Sequence, residues 1–270
     1  MHTYLKDEVI TKLLTDPKCR SYLKDILINI LGIDRKEFDD NLTLLDIRIG
    51  SNRNIKNNIS DVVYENKDGI YNIEINYNKS NSADIKNMTY ICQLILRQNT
   101  KGNKYSKIKP ITQINIHNYD YFNKEDFVYV SKLIEEKYHL IRSEMIKVID
   151  INLEYLQGKE YKDLEKRLER LMYIFVCGDM KKVEEVCKGD EVMEKVSERL
   201  KIFEEEFDAL LFYDKEEYVK ACSYDQGVEQ GIELEKIRIT KNLLKKNVDE
   251  ELISEITGLS MDNIEKIKIG

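Results

Sequence analysis

The sequence predicts an α+β protein in which a mixed strand-and-helix first half is followed by an all-helical C-terminal region. Three observations carry this. Apolar residues repeat at helical spacing up to Leu31, change period from Leu42 to Tyr77, and return to helical spacing beyond Gly158. An Asp68-Gly69 pair lies between two runs of β-branched and aromatic residues, the composition of a β-hairpin. Charge divides too: residues 1–123 carry 18 Lys and Arg against 15 Asp and Glu, net +3, and the remainder carries 25 against 35, net −10.

The elements follow in order. Val9, Leu13 and Leu14, then Leu23, Ile26, Leu27 and Ile30, keep helical spacing, and Pro17, which restricts Asp16 before it, divides the run into two helices that end at Gly32. The stretch LTLLDIRIG reads as a strand, and after the polar insert SNRNIKNN the run ISDVVYENKDGIYNIEINYN reads as a hairpin. Residues 83–98 read as a helix, NTKGNKYSKIK as a basic loop, and PITQINIHNY as a strand opened by Pro110. FVYVSKLIEEKYHLI fits either period, but MIKVIDINLEYL is β-branched enough to favour strand, so two strands are expected over 127–156. Beyond Gly158 the segments KEYKDLEKRLERLMYIF, EVMEKVSERLKIFEEEFDALLF and VEQGIELEKIRITKNLLKKN read as helices with charges between apolar positions.

A chain of 270 residues, 42% hydrophobic and 34% charged, can bury one good core and a smaller second one. The longest apolar run, 171–177, falls well short of the roughly 20 residues of a membrane span, so no membrane partner is expected. The start, MHTYLKDEVITKLL, has an acidic pair where a signal peptide needs an apolar run. The five cysteines (Cys19, Cys92, Cys177, Cys187, Cys222) are odd in number, scattered and never spaced C-x-x-C. A reducing, cytoplasmic compartment and no structural zinc are the expectation.

SDVVYENKDGIYNIEINYNK is the informative segment. On its second strand Ile73, Ile75 and Tyr77 alternate with Asn72, Glu74 and Asn76, giving one apolar face and one that holds a carboxylate and amides. With a two-residue turn at Asp68-Gly69, Asp61 stands across from Asn76 and Val63 from Glu74. With a four-residue turn over 66–69, Asp61 faces Glu74 directly. Either register gathers Asp61, Glu74 and Asn76 on one side. Two carboxylates on adjacent strands repel each other unless a cation neutralises them. Mg²⁺ is the natural candidate, because it takes one or two carboxylates together with water and substrate phosphate. So placed, it polarises a phosphodiester and generates the attacking hydroxide. A solvated hairpin with ordinary surface acids is the plainer alternative.

The order of helical pair, strand, S-D-V hairpin, N-I-E-I-N, helix, K-G-x-x-Y, basic loop and K-P-I strand resembles the PD-(D/E)XK nuclease family transposases, also called recombination-promoting nucleases. Their pattern sets an aspartate on one hairpin strand, I-E-x-Q on the next, a helix with a basic residue and a tyrosine, and K-G-x-x-Y before a further strand. The matching residues are Asp61, Glu74, Lys86 with Tyr90, and Lys101, Gly102 and Tyr105. The tail is similar as well, with Gly227-x-x-x-Gly231 and the ending EELISEITGLSMDNIEKIK. The resemblance implies a restriction-endonuclease-like mixed β-sheet core flanked by helices over 1–157, a helical region over 158–223, and a long helix with a helix-turn-helix-like tail over 224–270. It implies a Mg²⁺-dependent DNA endonuclease of transposase type, with Asp61, Glu74 and Asn76 catalytic. The metal ligands it implies are Asp61, Glu74 and Glu8, the last because the superfamily often places a carboxylate from an early helix beside the ion. The family has glutamine, and the wider superfamily lysine, where this chain has Asn76, whose side chain is a methylene shorter than glutamine's. The alternative is therefore a weakened or inactive nuclease fold acting as a DNA-binding or assembly module. Lys79 replaces the lysine only if the strand bends.

Between Ile85 and Tyr119 stand six basic residues (Lys86, Arg97, Lys101, Lys104, Lys107, Lys109) and no acid, interleaved with Tyr90, Tyr105 and Tyr119. Such a window displaces counterions from a phosphate backbone, and the tyrosines stack, so DNA contacts are expected from Lys86, Tyr90, Arg97, Lys101, Lys104, Tyr105, Lys107 and Lys109. Glu8 reads equally as a first-turn acid favoured by the helix dipole. His117 has no partner spacing and reads as structural, and Asp46 has no spacing that supports a role. ISEITGLSMDNIEKIKI has the spacing of a helix-turn-helix, but its segment 249–270 holds six acids against Lys266 and Lys268, so packing or partner binding is expected rather than DNA reading. The stripe Val228, Ile232, Leu234, Ile237, Ile239, Leu243 and Leu244 predicts a helix that folds back on the chain or pairs two subunits.

Overall fold

The structure is a computed structural model that describes residues 3–45, 48–49, 58–59, 61–77, 79, 83–100, 104–207, 212–214, 231, 235–246 and 248–269. It divides into two compact units, Met1–Asp214 and Lys215–Gly270.

The first unit opens with β1 (Thr3–Leu5), α1 (Asp7–Thr15) and α2 (Arg20–Leu31). The break expected at Pro17 is a 3-10 turn over Pro17–Cys19, and Asp16 caps it by accepting from the Lys18 amide at 2.8 Å. Gly32 ends α2 at a left-handed φ of +66°, a conformation open to glycine without strain. Two short pieces follow, β2 (Thr43–Leu44) and β3 (Arg48–Ile49), then β4 (Asn58–Ile59), β5 (Val62–Glu65) and β6 (Ile70–Asn76). α3 (Ala83–Gln98) leads to β7 (Ile111–His117), β8 (Val128–Ile134) and β9 (Ile141–Asn152). α4 (Arg167–Tyr173), α5 (Met180–Cys187), α6 (Glu191–Phe207) and β10 (Phe212–Asp214) complete the unit.

Six strands form one mixed sheet in the order β2-β5-β6-β7-β9-β8. β5 and β6 pair antiparallel, β6, β7 and β9 run parallel, and β8 returns antiparallel on β9. The parallel step from β6 to β7 requires a crossover, which α3 supplies. Glu65 pairs with Ile70, so the hairpin turn has four residues, Asn66 to Gly69. Asn66 selects it: its side-chain oxygen accepts from the amides of Asp68 at 2.9 Å and Gly69 at 3.0 Å.

Alternation along the strands sends side chains to two faces. Val62, Tyr64, Ile73, Ile75, Ile114, Ile116, Ile149 and Ile151 enter the main core, which they share with α1, α2 and α4–α6. Val63, Ile70 and Ile111 meet Ile91 and Leu94 of α3 in a smaller core on the opposite face. Within the first unit the sheet and α1, α2 and α4–α6 thus pack around the main core, and α3 packs on the opposite face.

Several elements depart from the sequence reading. Of the segment expected as helix to Phe212, Glu191–Phe207 is helical and Phe212 itself is not: Phe212–Asp214 pairs antiparallel with Thr3–Leu5, a partner supplied by tertiary structure. Only Arg167–Tyr173 of the segment 159–175 is α-helical, with 3-10 turns on either side. The strand expected from LTLLDIRIG contributes only Thr43–Leu44 to the main sheet, because Arg48–Ile49 pairs separately with Asn58–Ile59.

In the second unit, α7 spans 235–245 and is followed by α8 (Glu250–Thr257) and α9 (Met261–Ile269). Asp249 caps α8 by accepting from the Glu251 and Leu252 amides at 3.0 and 3.3 Å, and Gly258 ends it at φ +69°. Ile253, Leu259 and Ile264 form a small core against which Leu243 and Leu244 pack. Those two residues of the predicted stripe are therefore used within their own unit. Gly227, Val228, Ile232 and Leu234 lie outside the described residues. No described helix is long and apolar enough to cross a membrane.

Candidate active site

Asp61 immediately precedes β5, and the register Val62 to Ile73 carried back one residue sets it opposite Glu74. Two hydrogen bonds lock the pair. The Asp61 amide donates to Glu74 Oε1 at 3.2 Å, and the Ile75 amide donates to Asp61 Oδ2 at 2.8 Å. Each carboxylate is thereby tied to the other's strand, on the face that α3 covers.

Glu74 has no exposed surface and Asp61 is half-buried. Burial, and then the charge of Asp61, pushes the Glu74 carboxyl up to about 7, against the opposing pull of Lys86. Burial likewise raises Asp61. Lys86, on the first turn of α3, sets its Nζ 3.0 Å from Glu74 Oε2 and 5.4 Å from the Tyr90 ring centre one turn further along. Burial works against the Lys86 ammonium, but attraction to Glu74 outweighs it and leaves the group raised.

Both acids of the early helix, Asp7 and Glu8, are exposed. Glu8 interacts with Asp7 and Lys6. Asp7 is raised to about 6, by burial first, then by Glu8, with the charge of Asp61 adding to it. Among the described residues, no three His, Cys, Asp or Glu side chains gather closely enough to hold a metal ion.

Asn76 shares the face of Glu74 two residues on, and its Nδ2 is buried without a hydrogen-bond partner among the described residues. Lys79 is exposed with its Nζ 3.5 Å from Asn123 Oδ1. The lysine at Glu74 comes from α3 rather than from the strand.

The basic window does not gather at one spot. Lys86 lies at the site end of α3, while Arg97, eleven residues on, lies roughly 16 Å along the helix. Lys109 is held by Glu65 at 2.6 Å and the Asn66 carbonyl at 2.7 Å, which ties the start of β7 to the hairpin turn. Lys104, Lys107 and Tyr105 are exposed around the 3-10 turn Tyr105–Lys107. Tyr90 is buried against Lys86. Lys101, Gly102 and Asp46 lie outside the described residues.

Sequence reasoning missed the breadth of the polar face. Gln113, Asn115 and His117 on β7 and Asp150 and Asn152 on β9 are buried on the same face of the sheet as Glu74. The signal was present, since these residues alternate with isoleucines, but alternation alone reads as a solvated face.

A family model described as PD-(D/E)XK nuclease family transposase matches residues 7–226. No curated protein and no solved structure matches the chain.

Proposed function

Since the chain belongs to the PD-(D/E)XK nuclease family transposases, we propose that it is a metal-dependent DNA endonuclease whose site is Asp61, Glu74, Asn76 and Lys86. The family makes DNA the expected substrate and a divalent metal the expected cofactor. The observation that carries the reading is the Asp61–Glu74 pair, a half-buried and a fully buried carboxylate hydrogen-bonded to each other's strands, with Glu74 pushed up to about 7.

The donor set fits a hard cation. Mg²⁺ is held typically by one or two carboxylates with water and phosphate filling the remaining positions, so a site without a third close acid is adequate. Asp61 and Glu74 would hold it. When bound, such an ion polarises the phosphodiester and lowers the pKa of water. The chain's own residues do the rest. Burial under α3 excludes bulk water, the backbone amides of Asp61 and Ile75 fix both carboxylates, and Lys86 sets a positive charge beside the phosphate position, the role a strand lysine would otherwise fill.

A second reading has its own support. Asn76 is shorter than the family's glutamine, and Lys86 already neutralises the outer oxygen of Glu74, as it would in a nuclease fold kept for DNA binding or assembly. Nicking of supercoiled plasmid with Mg²⁺ decides between them. Cleavage that is lost in Glu74→Ala and Asp61→Ala, with circular dichroism unchanged, supports the enzyme. Equal inactivity of wild type and variants across Mg²⁺ and Mn²⁺ supports the binding module.

A further inference from the structure

The polar face extends behind Asn76. Because β6, β7 and β9 run parallel in register, Asn76, His117 and Asn152 form one row across the sheet, and Glu74, Asn115 and Asp150 form the next. Hydrogen bonds cross the rows. Asn72 Nδ2 donates to Gln113 Oε1 at 2.6 Å, Gln113 Nε2 to Asn115 Oδ1 at 2.9 Å, and Asn115 Nδ2 to Asp150 Oδ1 at 2.8 Å. His117 Nε2 lies 2.8 Å from the same Asp150 oxygen.

A carboxylate oxygen accepts, so Nε2 carries a proton, and in the Nε2–H tautomer Nδ1 is an acceptor. That Nδ1 is buried without a hydrogen-bond partner among the described residues, and so is Asn76 Nδ2 on the adjacent strand. Their backbones are about 4.8 Å apart. An acceptor and a donor, both buried and on residues paired across adjacent strands, match the two sides of one water molecule, which donates to the ring and accepts from the amide. A cation would meet the amide's hydrogens and does not fit.

The ring is held on its other sides. It stacks on Tyr121 at 5.2 Å and 26°, and meets Tyr119 at 4.9 Å. The Tyr121 hydroxyl donates to Asp84 in the first turn of α3, the helix that brings Lys86 to Glu74. The ring is thus clamped between the sheet and the helix that completes the site.

We propose that His117, oriented by Asp150, is a positioning residue of the nuclease site, sharing a buried water with Asn76 and so fixing the Asn76 amide beside Glu74. The proposal rests on the endonuclease reading for its consequence but not for its geometry. A histidine without spacing partners in the sequence acquires them through β9.

The test has two arms. In the first, His117→Gln keeps a donor towards Asp150 and replaces the rigid ring acceptor Nδ1 by an amide oxygen on a flexible chain, which no longer faces Asn76 in fixed geometry. Expected is a fall in kcat of about 10–100-fold with KM for plasmid DNA and thermal midpoint little changed, the range typical of residues that orient a site from behind. Asp150→Asn should lower kcat in the same way. An unchanged kcat in His117→Gln, or a loss that follows only the thermal midpoint, overturns the proposal. In the second, ¹⁵N-histidine spectra of the full chain read the ring without any reaction. Expected is the Nε2–H tautomer, with an Nδ1 resonance that moves in Asn76→Ala. An Nδ1–H tautomer, or a resonance indifferent to Asn76, overturns it. Should wild type fail to cut DNA while the spectra behave as expected, the endonuclease reading fails and the His117–Asn76 link stands.

Discussion

Along β6, β7 and β9 successive side chains go to opposite faces, and the two faces differ in kind. One sends Ile73, Ile75, Ile114, Ile116, Ile149 and Ile151 into the main core. The other sends Glu74, Gln113, Asn115, His117 and Asp150 to the face on which α3 packs, where they are as fully buried as the isoleucines. Burial of apolar surface stabilises the first face directly. The second loses hydration and recovers it only through hydrogen bonds, and several of its polar atoms have no protein partner among the described residues. A face built this way is retained for what it does rather than for what it adds to stability.

The sharpest way to break this contrast is to remove one carboxylate. Glu74→Ala or Asp61→Ala should reduce plasmid cleavage by about 10³-fold or more, equivalent to several kcal/mol of transition-state stabilisation, while the fold is retained. Nicking rate and circular dichroism measured on the same preparations check it. Cleavage that survives both changes would mean the polar face is not the site.

On the isoleucine face the expectation reverses. Ile114→Ala should lower unfolding free energy by about 2–5 kcal/mol, the range for a fully buried aliphatic side chain, with specific activity of the folded protein close to wild type. Urea denaturation read beside the nicking rate separates the two. A cleavage defect larger than the folded fraction accounts for would show the faces coupled.

Some of this contrast is readable in the sequence and some is not. The shared side of Asp61, Glu74 and Asn76 follows from strand period and turn length, because a hairpin is local and its register is arithmetic. Only the choice between a two- and a four-residue turn needed the structure, and the Asn66 side chain makes it. The alternation in Gln113, Asn115 and His117 is equally plain, but whether water or a helix faces it depends on where α3 lands. Asp7 and Glu8 are neighbours in sequence and both are exposed, yet the charge of Asp61 acts on Asp7, which only the fold reveals. Lysines are least legible of all: Lys86 and Lys109 are tied to Glu74 and Glu65 by ion pairs between residues distant in sequence, and nothing in composition separates them from the exposed Lys104 and Lys107.

A smaller effect concerns pH. Glu74 is raised from 4.5 to about 7, so the folded state binds its proton more tightly than the unfolded chain does. Metal-free protein should therefore lose stability as pH rises from about 4.5 to 7, by on the order of 3 kcal/mol at most. A divalent cation competes with that proton, so the increase in thermal midpoint on adding Mg²⁺ should be larger at pH 8 than at pH 6. Glu74→Gln should flatten both dependences. A thermal midpoint of the metal-free protein that rises over this range, or a Mg²⁺ increment indifferent to pH, would contradict the electrostatic account of the polar face.

The weakest expected effects distinguish the exposed cations from the paired ones. Charge reversal at Lys104 and Lys107, together with Lys101, should weaken DNA binding for all sequences alike and flatten its salt dependence. The slope should drop by about 0.9 for each phosphate of duplex DNA that the protein ceases to neutralise. Lys109→Glu should act differently, because it sets a second acid against Glu65 and frees the Asn66 carbonyl, lowering stability before it touches binding. The second unit is expected to matter least for DNA, since its segment 249–269 holds six acids against Lys266 and Lys268, and net negative charge repels phosphate. A chain stopped after Asp214 keeps β10 paired with β1 and should bind DNA with nearly unchanged affinity. Light scattering on the same two chains asks whether the second unit joins subunits, with disappearance of a dimer on truncation as the expected result. Fluorescence anisotropy over a range of salt decides the interface: if truncation abolishes binding while the lysine reversals leave the slope intact, DNA is held by the second unit, and the polar face of the sheet acts on a substrate delivered from elsewhere.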